Sequence, residues 1–153
     1  MRVYRICRSD RVKFDGEGAR KAGGRWNRPG LRLVYTAQSE SLALLEILVH
    51  LIERQMPTSH VCVPAEIPDQ LVERLPDADL PADWRADPVS TASIGSTWCD
   101  SGKLPVLSVP SVVVPRERNY LIKPSHPSFA AIAISEPVSA EFDPRFWKNW
   151  KAN

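Results

Sequence analysis

The sequence predicts a single α+β domain over residues 1–153, a mixed sheet of short strands around a buried helix. Three observations carry this. The chain has 153 residues, within the roughly 100–200 of one domain, and no linker or internal repeat divides it. Its 14 prolines are scattered, which favours many short elements over a helical bundle. Short β-branched and aromatic runs alternate with only two stretches of helical character.

Val3-Tyr4-Arg5-Ile6-Cys7 alternates as a strand does, and a loop rich in glycine and charge follows from Arg8 to Arg32. Leu33-Val34-Tyr35-Thr36-Ala37 predicts a second strand. Ser39 is placed to cap a helix running to about Arg54, with Glu40 in its first turn and Pro57 beyond its end. Its polar residues Glu46, His50, Glu53 and Arg54 share one face, and the remaining positions from Leu42 to Ile52 are apolar, so most of its circumference is expected to be buried. His60 to Ile67 alternates weakly as a strand. Leu75 to Val89 carries three prolines and four aspartates and predicts an exposed acidic loop. Asp87-Pro88 has the form of an N-cap with proline at N1, opening a helix that ends near Gly102. Short strands are expected at Val106–Val109, Val112–Val114, Asn119–Ile122 and Phe129–Ile134, before a tail bearing Phe142, Phe146, Trp147 and Trp150.

Composition excludes several classes. With 43% hydrophobic and 25% charged residues, neither disorder nor a collagen-like repeat is expected. The longest near-apolar stretch, Leu42 to Ile52, contains Glu46 and His50 and falls short of the ~20 residues of a membrane span. The N-terminus lacks the apolar run of a secretory signal, so a soluble, cytoplasmic chain is expected. Cys7, Cys62 and Cys99 are widely spaced and odd in number, which predicts reduced thiols and no zinc knuckle. The first 36 residues hold ten basic and three acidic residues, net +7, whereas the rest of the chain is net −5. Such an opening suits an anion site, and equally a solvated basic face.

Few residues stand out as chemistry. Gly23-Gly24-Arg25-Trp26-Asn27 combines glycines that let backbone approach a ligand with an arginine fork suited to phosphate. It is neither a Walker loop nor a Rossmann fingerprint, and a plain turn beside a surface arginine is the competing interpretation. Glu46 interrupts an almost wholly apolar helix, where a carboxylate needs partners. It is either a carboxylate held rigidly beside the Tyr35 strand or one side of an i, i+4 contact with His50. Tyr35 alone reads as a half-buried strand aromatic. The three histidines lack metal-ligand spacing, so no metal is expected. Ser111 lies in no G-x-S-x-G elbow and reads as a turn serine. A Cys–His nucleophile pair stays open, although nothing marks one cysteine. The aromatics do not interleave with the basic residues as on a nucleic-acid-binding surface.

Five segments in order carry a family resemblance: Gly23-Gly24-Arg25-Trp26-Asn27, Val34-Tyr35-Thr36-Ala37, Leu44-Leu45-Glu46-Ile47-Leu48-Val49-His50, Pro110-Ser111-Val112-Val113-Val114-Pro115, and Asn119-Tyr120-Leu121-Ile122 running on to His126-Pro127. Together they resemble the RES domain, the toxin half of RES–Xre toxin–antitoxin pairs. Lys123 replaces an asparagine expected before the proline, and the tail from Glu141 matches less closely.

The resemblance implies an ADP-ribosyltransferase-like α+β fold around an NAD cleft. It also implies cleavage of the nicotinamide–ribose bond, with water, phosphate or a protein as acceptor of ADP-ribose, and an Xre-type antitoxin as partner. The family's functional Arg, Tyr, Glu and Ser fall on Arg25, Tyr35, Glu46 and Ser111. The residues suit that chemistry. Arg25 would anchor the pyrophosphate or the ribose, and Tyr35 would offer its ring to nicotinamide. Glu46 would stabilise the oxocarbenium-like ribose, and Ser111 would supply a hydrogen bond in binding NAD. Because nicotinamide leaves as a neutral molecule, one carboxylate suffices. The alternatives are a nucleic-acid-binding module using the basic segment and an interaction protein without catalysis. Direct nucleic-acid or membrane binding is not expected.

Overall fold

The computed structural model describes residues 1–50 and 59–148. Among the described residues, eight strands form one sheet: β1 (Arg2–Arg8), β2 (Val34–Ala37), β3 (His60–Glu66), β4 (Val72–Arg74), β5 (Val106–Pro110), β6 (Arg118–Ile122), β7 (Ala133–Ile134) and β8 (Val138–Ser139). Their order is β4-β5-β6-β2-β1-β3-β7, with β8 also on β3. The β4–β5 pair is parallel, and the other pairs are antiparallel. The helices are α1 (Glu17–Ala22), α2 (Glu40–Leu48), α3 (Pro88–Ser101) and α4 (Arg145–Lys148). The fold class is α+β, as expected.

Strand alternation divides the core between the two faces of the sheet. Val3, Val34, Val63, Val106 and Ile122 meet Phe14 and Ile132 on one face. On the other face lie two separate clusters. Trp26, Leu33, Trp98, Leu107, Val109 and Leu121 pack together beneath α3. Ile6, Ala37, Leu42, Ala43, Cys62 and Phe142 pack together beneath α2. The site residues lie between these two clusters. β5 and β6 support them from the core, since every residue of β5 is buried and β6 is buried from Asn119 to Ile122.

Local chemistry explains where the elements start. The Ser39 side chain accepts from the Leu42 amide at 3.1 Å and starts α2, as the sequence predicts. Asp87 accepts from the Val89 and Ser90 amides at 2.9 and 3.0 Å, with Pro88 at the first helical position of α3.

The helix expected to reach Arg54 ends at Leu48, and residues 51–58, with Glu53 and Arg54, lie outside the described residues. Its burial is also narrower than expected. Only Leu42 and Ala43 are buried, while Leu45 and Val49 are 36% and 57% exposed. The helix lies over β1 and β2, with Leu44, Ile47 and Leu48 half-buried against the same cluster and Leu45 and Val49 facing outwards.

Three other expectations are corrected. Val112–Val114 forms no strand, because the Ser111 hydroxyl accepts from the Val113 and Val114 amides and folds them into a turn. The first half of the expected 129–134 strand is part of a 3₁₀ turn, Pro127–Ala131, opened by the His126 side chain, and only Ala133–Ile134 pairs. Inside the expected 8–32 loop, α1 forms, steadied by Glu17 between Arg20 and Arg32. Among the described residues, no helix is long and apolar enough to cross a membrane.

Candidate active site

Glu46 projects from α2 onto the ends of β5 and β6. Its Oε1 accepts from the Ser111 hydroxyl at 2.8 Å and from the Asn119 amide Nδ2 at 2.6 Å. Its partners are therefore 65 and 73 residues away, and the i, i+4 contact with His50 is not the one formed. Ser111 is fully buried, just after β5. Its oxygen takes two backbone amides, at 3.1 and 2.9 Å, and its proton goes to Glu46. The Ser111 hydroxyl thus has both lone pairs and its proton engaged, with the proton directed at the carboxylate. Asn119 is 9% exposed and sits in β6 opposite Ala37 of β2 and Val109 of β5, held on both sides.

Tyr35 lies on the same face of the neighbouring strand. It pairs with Leu121, two residues beyond Asn119, so Tyr35 and Asn119 are diagonal neighbours about 7–8 Å apart. Its hydroxyl donates to Asn27 Oδ1 at 2.7 Å and accepts from the Trp26 amide at 2.9 Å. Burial pushes the phenol well above its ordinary pKa, so it stays protonated and keeps donating. Gly24 completes this contact, since a Cβ there would stand 2.6 Å from the Tyr35 oxygen. The glycine that the sequence offers for approach to a ligand is thus used first for approach to the protein's own tyrosine.

The loop from Gly24 to Arg28 is clamped from above by α3. A Cβ on Gly95 would fall 2.0 Å from the Trp26 carbonyl, and Ser96 Oγ accepts from the Arg28 amide at 3.0 Å. Asn27, 1% exposed, donates Nδ2 to the Ala19 and Arg28 carbonyls at 3.0 and 2.9 Å.

Arg25 stands apart from Glu46. Its Nη2 donates to the Trp84 carbonyl and, at 2.8 Å, to the Arg85 carbonyl. Its Nε is buried with no partner among the described residues. Burial lowers the guanidinium pKa, opposed by Asp87, without discharging it. The segment it grips reaches the carboxylate cluster as well, since Arg85 Nη2 donates to the Val112 carbonyl at 3.0 Å, in the turn that Ser111 organises. Trp84 packs on Trp26 with ring centroids 6.1 Å apart. Residues 84 and 85 thereby bridge the Arg25 loop and the Ser111 turn.

The structure thus brings Glu46 and Ser111 into contact, sets Tyr35 beside them, and joins Arg25 only through the 84–85 bridge. Sequence reasoning assigned no role to Asn119 or Asn27. The signal available was an asparagine interrupting or flanking apolar runs, where an amide needs partners as a carboxylate does.

The basic N-terminal segment is partly neutralised within itself. Arg8 pairs with Asp10, Arg20 and Arg32 with Glu17, and Arg5 lies over the Phe14 ring. The three thiols are buried and free. Burial raises each of them, Cys62 to about 11, which disfavours the thiolate.

Comparison with known proteins identifies the family. The RES domain family model matches residues 2–143. The "Prs ADP-ribosylating toxin" of Sphingobium sp. (strain YBL2) is 41% identical over 137 residues, covering 86% of this chain and 85% of that protein. The "Toxin Res" of Yersinia enterocolitica is 40% identical over 150 residues, covering 95% and 99%. The crystal structure of the M. tuberculosis MbcT–MbcA toxin–antitoxin complex matches the fold with a TM-score of 0.71 at 20% identity, over 96% of this chain and 86% of that one. With the family model spanning nearly the whole chain and relatives at about two residues in five, the protein belongs to the RES domain family.

Proposed function

We propose that the protein is an NAD-consuming toxin that breaks the nicotinamide–ribose bond and transfers ADP-ribose. The observation that carries this is the Glu46 carboxylate, pinned by Ser111 and Asn119 through one oxygen, beside Tyr35 on a rigid sheet face. In the reaction the C1′–N bond breaks and its electron pair leaves with neutral nicotinamide. The ribose carbon becomes oxocarbenium-like, and Glu46 offers it a fixed negative charge. An acceptor then adds to C1′ and loses its proton. The name of the Sphingobium relative favours a protein acceptor, with water and phosphate as the alternatives. Glu46 needs no proton to give, because the leaving group departs uncharged.

Arg25 anchors the anionic end of NAD in this proposal. Nη2 is spent on the carbonyls of residues 84 and 85, and no described residue engages Nη1, so that nitrogen is left for a pyrophosphate. Tyr35, its hydroxyl occupied, contributes its ring. A toxin of this kind must be silenced where it is made, and the matched fold comes from a complex with an antitoxin. We assign the same kind of partner here, an Xre-type antitoxin covering the cleft. Pure protein incubated with NAD should release nicotinamide, and the rate should vanish when the cognate antitoxin is co-expressed. Absence of nicotinamide release would overturn the enzymatic reading in favour of a binding module.

A further inference from the structure

We propose that Asn119 is a positioning residue of this site: with Ser111 it fills Oε1 of Glu46, so that Oε2 is the oxygen presented to the reacting ribose. The inference rests on the NAD-cleaving reading above. It begins from an imbalance in the Asn119 side chain. Nδ2 makes the shorter of the two hydrogen bonds to Glu46, 2.6 Å against 2.8 Å from Ser111. Oδ1 is buried and has no partner among the described residues. Buried polar atoms are paired with few exceptions, and each exception calls for a reason.

The charge of Glu46 supplies the reason. Turning the amide over would set Oδ1 against Oε1, two acceptors in contact, and would remove a charge-assisted bond. The amide is therefore held donor-first towards Glu46, at the expense of its own acceptor. Both donors converge on Oε1, and no described residue donates to Oε2. A carboxylate with one oxygen tied twice has its plane fixed and keeps one oxygen free, as a group aimed at a developing cation requires. The support is stiff, because Asn119 lies on a strand paired on both sides and Ser111 is fully buried. A purely structural asparagine looks different in this same molecule. Asn27 has both of its amide atoms engaged, Oδ1 by Tyr35 and Nδ2 by backbone carbonyls.

The test compares wild-type protein with Asn119→Ala and with the near-isosteric Asn119→Leu, reading nicotinamide release and, by calorimetry, NAD binding. Loss of orientation at the reacting centre should lower kcat by about tenfold or more while KM and the Kd for NAD stay within about threefold. A folded variant with wild-type kcat, or one whose KM rises with kcat kept, would overturn the proposal. If Asn119→Ala fails to fold, Asn119→Leu decides, because it keeps the branched shape and removes the donor without adding a charge beside Glu46. Wild-type protein that releases no nicotinamide overturns the parent reading and this one with it. A variant matching an active wild type overturns this one alone.

Discussion

Two asparagines, Asn27 and Asn119, stand on the same side of the sheet and do opposite work. Asn27 is saturated, with its carbonyl taken by the Tyr35 hydroxyl and its amide by the Ala19 and Arg28 carbonyls. It ties the Arg25 loop to the scaffold. Asn119 gives its amide to Glu46 and leaves its own carbonyl unpaired. The first amide stabilises a loop, and the second holds a charge in one orientation. Hydrogen-bond saturation thus separates scaffold from candidate chemistry where residue type and burial do not, since both side chains are buried.

The sharpest way to break this contrast is to neutralise the charge that Asn119 serves. Glu46→Gln keeps an Oε1 that accepts from both Ser111 and Asn119, so the fold should hold. Nicotinamide release should fall by about 100- to 1000-fold, the usual loss when one transition-state stabiliser is removed. Undiminished release by a folded Glu46→Gln protein would refute the assignment.

Next in size is a change on the scaffold side. Asn27→Ala strands the Tyr35 hydroxyl proton and two part-buried carbonyls. We expect a loss of about 2–3 kcal/mol in stability, seen as a Tm lower by roughly 5–10 °C. The expectation sharpens the contrast, because Asn119→Ala should instead lose rate. If Asn27→Ala melted like wild type, saturation would not mark scaffold.

Tyr35→Phe removes the hydroxyl alone and should cost about 1–2 kcal/mol, measured by denaturant unfolding. If the ring is the part that serves NAD, kcat should stay within about threefold of wild type. A collapse of kcat in a folded Tyr35→Phe protein would place the hydroxyl in the chemistry.

The smallest expected effect is at Arg25. Arg25→Lys retains the charge but loses the fork that holds residues 84 and 85. KM for NAD should rise by about five- to tenfold with kcat largely kept, the pattern of lost uniform binding. Unchanged KM with a collapsed kcat would mean that Arg25 orients the ribose instead of anchoring the anion.

Elements with local signals were legible in the sequence. The caps at Ser39 and Asp87 mark the starts of α2 and α3, and the β-branched runs mark β1, β2, β3, β5 and β6. The elements missed lack such signals. β4 has three residues and exists through parallel pairing with β5, 34 positions away (Val72 with Val106). α1 is six residues long with Gly18 inside it and Gly16 before it, a sequence of low helix propensity held by the ion pairs of Glu17. The Val112–Val114 run has strand propensity, but one serine side chain claims the amides a strand would need.

The sequence by itself determined the chemical inventory: a carboxylate on an apolar helix, an arginine and an asparagine after paired glycines, a tyrosine on a strand and a serine after Pro110. These follow from helix and strand periods and from caps, all of which act within a few residues. Only the tertiary structure decided which groups meet. Glu46 takes Ser111 and Asn119 because the sheet places β6 beside β2 and α2 lies over β1 and β2. It likewise decided that Tyr35 closes on Asn27 and that Arg25 grips the carbonyls of residues 84 and 85. A side-chain hydrogen bond works only near 3 Å, and strand order and helix placement set such a distance between groups 65 or 73 residues apart.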